Sequence, residues 1–361
     1  MSNVIKLNIL SRHPEPRARH AALLSCFARH RQAEDNVFWL KENAELLNIL
    51  ECTGASLAPD ALAPLSEFYE TLENRLAFFP QYYRFLLSIC LDMEDLGYPG
   101  NKGEMAVNWA CRQGLAGAEL SDLQRAEARR LMLRRGRDPM AQDPGLDDRL
   151  RGFTEHSDTF AMPNKKAAYE LTHIVFYLSE YGREDPELGP GARRSLGYVG
   201  TLAFLDQDAD LLAEVCVAMG FAGIEIPDQW EKWLARVTQA FDLRATPQAG
   251  HDHYHEYLVC NWAMIRRGTP GFEHALRKEA LSFRRPAMPT GPLRQISELL
   301  FHLEADRRED WQVMKPIVEQ RLDLPAMDVL HSAERAVPDF DRFFAGFSRA
   351  APLREQTERL A

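Results

Sequence analysis

AAYELTHIVFYLSEY, residues 167–181, decides the fold class. Leu171, Ile174, Val175 and Leu178 fall at i, i+3, i+4 and i+7, the spacing that puts apolar side chains on one face of an α-helix. The same period recurs in FWLKENAELLNILE (38–51), LSEFYETLENRLAFF (65–79) and QYYRFLLSICLDMEDL (81–96). It returns in DADLLAEVCVAM, DQWEKWLARVTQAF, EYLVCNWAMI, RQISELLFHLEAD and the tail from Pro338. Alternating, strand-length stretches are rare; Val4–Leu10 reads as a short extended arm, and GIEI (223–226) is the other exception. The expectation is an all-α chain.

Punctuation divides the pattern into many short helices. Gly54, Gly97, Gly182, Gly220 and Gly268 each follow an apolar run, where a C-terminal cap needs a left-handed residue. Pro80, Pro163, Pro227 and Pro338 stand at or near helix starts, where a missing N–H costs little. Tyr83, Tyr169 and Tyr254 open similar helices at intervals of about 85 residues, a period that would hold two helical hairpins. That spacing points to a helical-hairpin array, an α/α toroid or a curved α-solenoid, with helices 81–96, 167–181 and 253–266 on the inner side. One domain spanning 1–361 is expected, and the Gly-, Pro- and Asp-rich segment 134–163 reads as a long loop or hinge.

Composition excludes several classes of function. The formal net charge of −10 argues against nucleic acid or an anionic membrane surface as partner. No run approaches the roughly 18 apolar residues of a membrane span. MSNVIKLNIL is too short and polar for a signal-peptide core, so a cytoplasmic location is expected. Arginine outnumbers lysine, which is consistent with a GC-rich bacterial genome. The six cysteines are scattered singly and read as small buried hydrophobes in a reducing compartment.

The residues able to carry chemistry are histidines and acids at helical spacing. His251-Asp252-His253-Tyr254-His255 is a histidine cluster in which His251 and His255 would share a helix face. His-Asp-x-x-His resembles the HExxH of zinc proteases, but its acid is shorter and such folds carry strands that this chain lacks. Glu170-x-x-His173 is a similar motif on a strongly apolar helix, with Tyr169 and Tyr177 one turn to either side of the histidine. Glu214 could add a carboxylate, as in di-iron proteins. The basic run RAEARRLMLRRGR (125–137) reads as a solvated face, or as a docking site for an acidic or phosphate-bearing partner.

These features predict a metal-dependent enzyme acting on a small molecule or peptide, hydrolytic or oxidative, in a cavity lined by inner helices. His173, His255, His251 and Glu214 would hold a divalent ion, iron or zinc, and Glu170, Asp252 or Tyr177 would move protons. The alternative is a non-catalytic α-solenoid that binds a partner peptide on its concave face.

Overall fold

A computed structural model describes residues 15–246, 252–274, 276, 279–285, 287, 288 and 290–350. Val4–Leu10 and His251 lie outside them. In chain order the helices are α1 (Pro16–Cys26), α2 (Val37–Cys52), α3 (Ser66–Phe78), α4 (Tyr83–Asp95), α5 (Lys102–Arg112), α6 (Asp122–Leu133), α7 (Leu146–Glu155), α8 (Ser157–Phe160) and α9 (Lys165–Leu178). They continue with α10 (Pro190–Asp206), α11 (Ala209–Phe221), α12 (Asp228–Gln239), α13 (Tyr254–Arg266), α14 (Leu293–Leu303), α15 (Trp311–Glu319), α16 (Leu324–Ala336) and α17 (Phe340–Ser348). Two strands accompany them among the described residues, β1 (Asp242–Ala245) before α13 and β2 (Leu281–Arg284) after it. The chain is all-α, as the periodicity requires.

Local chemistry sets the boundaries. Asn36, Ser121, Asn164, Asp208, Asp310 and Asp323 cap helix starts by accepting a backbone N–H. Four of the five expected glycine caps have positive φ, and Gly223 takes that role in place of Gly220, which stays inside α11. Residues 134–163 contain α7 and α8: Leu146, Leu150 and Thr154 form a buried stripe that the surrounding Gly and Pro conceal in the sequence. GIEI is irregular, and the strands lie elsewhere, in segments too short to show a period.

The chain divides into two compact units, Met1–Ala106 with Phe241–Arg284, and Val107–Ala240 with Arg285–Ala361. In the first, α2 packs on both α4 and α13, and β1 pairs antiparallel with β2, Asp242 opposite Arg284. Phe27, Tyr257, Phe272 and Phe283 fill its aromatic core. In the second, α10 is central and contacts α7, α8, α11, α14 and α16, while α9 packs on α6, α7 and α11. Gly200 of α10 lies under Trp230 of α12; a Cβ there would sit 2.3 Å from the indole. The missing side chain is what lets that fully buried ring reach the α10 backbone. The tyrosine-marked helices are therefore split, α4 and α13 in the first unit and α9 in the second.

Candidate functional site

In the first unit, α1 ends in a π-helical turn, Phe27–Arg31, which delivers Arg31 into the interior. Its guanidinium donates to Glu42 (Nε–Oε2, 2.7 Å), to Asp252 (Nη1–Oδ2, 2.8 Å; Nη2–Oδ1, 3.0 Å) and to the Leu281 carbonyl at 2.6 Å. The rings of Phe27, Tyr254 and Phe283 surround it at 5.0–5.1 Å. Burial alone would lower its pKa, but the hydrogen bonds to Asp252 and Glu42 hold it above the usual arginine range. Asp252 also accepts the backbone N–H groups of Phe283 (2.9 Å) and Tyr254 (3.3 Å). Both of its oxygens are thus engaged, and its side chain is 4 % exposed. The arrangement ties the π-helical turn, β2 and the start of α13 together. His253 pairs with Glu256 at 3.1 Å, and His255 is half-buried on α13 beside Tyr254.

In the second unit, α9 carries the other predicted residues. His173 Nδ1 lies 2.7 Å from the Tyr169 carbonyl, which can only accept, so Nδ1 must hold the proton. In the neutral ring Nε2 then carries the lone pair, and no described residue engages it. The buried carboxylate of Glu214, on α11, is 3.6 Å from Nδ1 and accepts the Thr172 hydroxyl at 2.6 Å. Tyr169 donates to Asp210 at 2.6 Å. Its phenol is pushed well above the ordinary range, first by burial and then by the Asp210 charge. His173 and Glu214, separated by 41 positions in the sequence, are therefore brought together. Glu170 is half-buried on α9, and His173 and His255 fall in different units. Among the described residues no group of three or more His, Cys, Asp or Glu side chains is placed to hold a metal ion.

One turn beyond His173, with ring centroids 6.0 Å apart, Tyr177 lines a polar pocket of about 280 Å³ open to solvent. Its charged lining consists of Arg129, Arg130 and Arg151 with Asp147, Glu180, Glu184, Asp185 and Glu187. The turn that ends α9 shapes one wall. Glu180 (φ 47°), Tyr181 (φ 54°) and Gly182 (φ 86°) are all left-handed, and Gly182 abuts Phe221 too closely for any Cβ. Two non-glycine residues in that region cost roughly 1–2 kcal/mol each. The turn holds Tyr181 over Arg130 at 4.4 Å. A second, small apolar pocket of about 40 Å³ lies between Phe160, Lys165, Leu202 and Leu211.

The sequence did not single out Arg31, Glu42 or Arg130 as individual residues. Their signal, a charge inside an apolar helical stretch, is what a solvated helix face also shows. Four cysteines are buried and two half-buried, all with free thiols.

Residues 1–350 match the family described as a domain of unknown function, DUF6902, and the chain belongs to that family. Neither the curated proteins nor the solved structures contain a match to it. Among the described residues no helix is long and apolar enough to cross a membrane.

Proposed function

We propose that the chain is an enzyme acting on a small molecule bound at the α9 face of the second unit, with His173 as its proton-transferring group. The observation that carries this reading is the orientation of the imidazole. The Tyr169 carbonyl fixes the Nδ1–H tautomer, and the buried Glu214 carboxylate stands behind it to stabilise an imidazolium. Nε2 is thereby left as the basic atom on a ring that is about one-third exposed, next to the Tyr177 that lines the polar pocket. The pocket volume lies at the lower edge of the range of small-molecule sites. The toroid or curved array expected of the helices would set this face on a concave wall.

A second reading keeps the divalent ion. A histidine backed by a carbonyl and a carboxylate, with its other nitrogen outward, is also how a metal-ligating imidazole is held. His173 would then be a ligand, with Glu214 as its supporting carboxylate.

The test is to incubate the purified protein with a small-molecule metabolite extract and follow depletion by mass spectrometry. Wild type is compared with His173→Asn, whose amide can replace the Nδ1–H bond but supplies no base. Depletion by wild type alone, both proteins being folded, supports the enzyme; stoichiometric metal lost with His173 would assign the second reading. No depletion of any compound by wild type sinks the enzyme in favour of a non-catalytic binding protein.

A further inference from the structure

The fold answers Arg130 only in part: Tyr181 covers its guanidinium at 4.4 Å, but its N–H groups are not all matched. Its side chain is 3 % exposed, yet Nε and Nη1 have no hydrogen-bond partner. The carboxylate nearest to it, Glu180 Oε2, stands 3.7 Å from Nη1, outside hydrogen-bond distance. A buried guanidinium with unsatisfied N–H groups is costly, and natural proteins rarely keep one without a use for it. The other two arginines of the pocket are answered. Arg129 donates from Nη1 to both oxygens of Asp147 at 2.9–3.0 Å, and Arg151 pairs with Glu187 at 3.1 Å. Arg130 is therefore the cation of this pocket that lacks a close acceptor.

The acids of the lining narrow the ligand. Five carboxylates against three guanidiniums make the pocket net negative, so a dianion such as phosphate would enter against repulsion. Glu184 and Asp185 are exposed and lie in the chain just after the strained turn. A ligand with an inner carboxylate and an outer ammonium matches both ends. Leu133, Leu178 and the Tyr177 ring add apolar surface to the same lining.

We propose that this pocket binds a small zwitterion of the α-amino-acid class, its carboxylate on Arg130 and its ammonium at Glu184 and Asp185. The assignment gives a substrate class to the site proposed above and rests on that reading only for placing the ligand beside His173. Binding draws the guanidinium toward the ligand and away from Glu180. Burial pushes the Glu180 carboxyl above its ordinary range, which eases its loss of the Arg130 contact.

The experiment is calorimetric titration of the full chain with a panel of L-α-amino acids, with propionate and inorganic phosphate as comparisons. At least one amino acid should bind wild type, and Arg130→Met should weaken it by about tenfold or more, as expected for loss of a charge-assisted hydrogen bond. Should Arg130→Met fail to fold, the exposed pair Glu184→Gln and Asp185→Asn serves instead and should weaken the amino acid but not propionate. His173→Asn should retain binding. Loss of conversion with binding intact would support both readings, whereas binding without any conversion would sink the enzyme and leave the zwitterion site standing. No binding by any amino acid, wild-type affinity in Arg130→Met, or phosphate or propionate binding as tightly would overturn the proposal.

Discussion

Replacing Asp252 by Asn tests whether this carboxylate works in chemistry or in architecture. In the structure it accepts two N–H groups from Arg31 and two from the backbone, and it is almost fully buried. Asn keeps one acceptor oxygen but turns an NH₂ toward donors, and it leaves Arg31 with a single counter-charge, Glu42. Breaking a buried pair from one side costs about 3–5 kcal/mol, since the remaining charge stays desolvated. At about 2–4 °C per kcal/mol for a unit of this size, the melting temperature should fall by roughly 6–20 °C. Hydrogen exchange read by mass spectrometry should show faster opening of α2, β2 and α13. Arg31→Leu should cost at least as much, because it strands two acids. A decrease below about 1 kcal/mol for Asp252→Asn would refute the reasoning. A variant of unchanged stability that lost activity would return Asp252 to the catalytic role its sequence motif first suggested.

Three further outcomes follow from the packing and the buried titratable groups. Gly200→Val should destabilise the second unit by about 1–3 kcal/mol or more, because its Cβ meets the Trp230 indole; a neutral effect in urea denaturation would mean that the two helices separate freely. Glu180 has a raised pKa, through burial first, against the pull of Arg130, Arg134 and Arg183 and with Glu184 adding to the shift. The folded chain therefore keeps a proton that the unfolded chain loses, stability falls as pH rises above about 4.5, and Glu180→Gln should flatten that slope. His20 has the opposite logic: burial, with Arg19 adding to it, pushes its pKa below the ordinary value despite the Ser56 backbone bond. The unfolded chain protonates first, so stability is lost as pH falls below about 6.5, and a His20→Gln variant with the same pH slope as wild type would contradict this.

Much of the fold was legible because helices declare themselves locally. The apolar period and most of the glycine stops act within a few residues, so a linear reading recovers them. Helices α7 and α8 were obscured by turn-forming neighbours although the buried stripe of α7 was present. The β1–β2 ladder was missed because each strand is four residues long, and Asp242 and Arg284 are joined in sequence only through the whole of α13. At the α9 site, His173 and Tyr177 were readable as one helix face. Glu214 was named as a candidate carboxylate, but its contact with Thr172 and His173 depends on how α9 and α11 pack.

The sequence by itself determined that the chain is all-α and where four of its five expected glycine stops fall, because those properties depend on near neighbours along the backbone. Only the tertiary structure decided which charges are buried and what answers them. Arg31 and Asp252 meet across 221 positions, and Arg130 sinks beneath Tyr181 while Arg129 beside it stays half-buried. The physical reason is that periodicity is a property of one element, whereas the desolvation of a charge is set by whatever other elements fold over it.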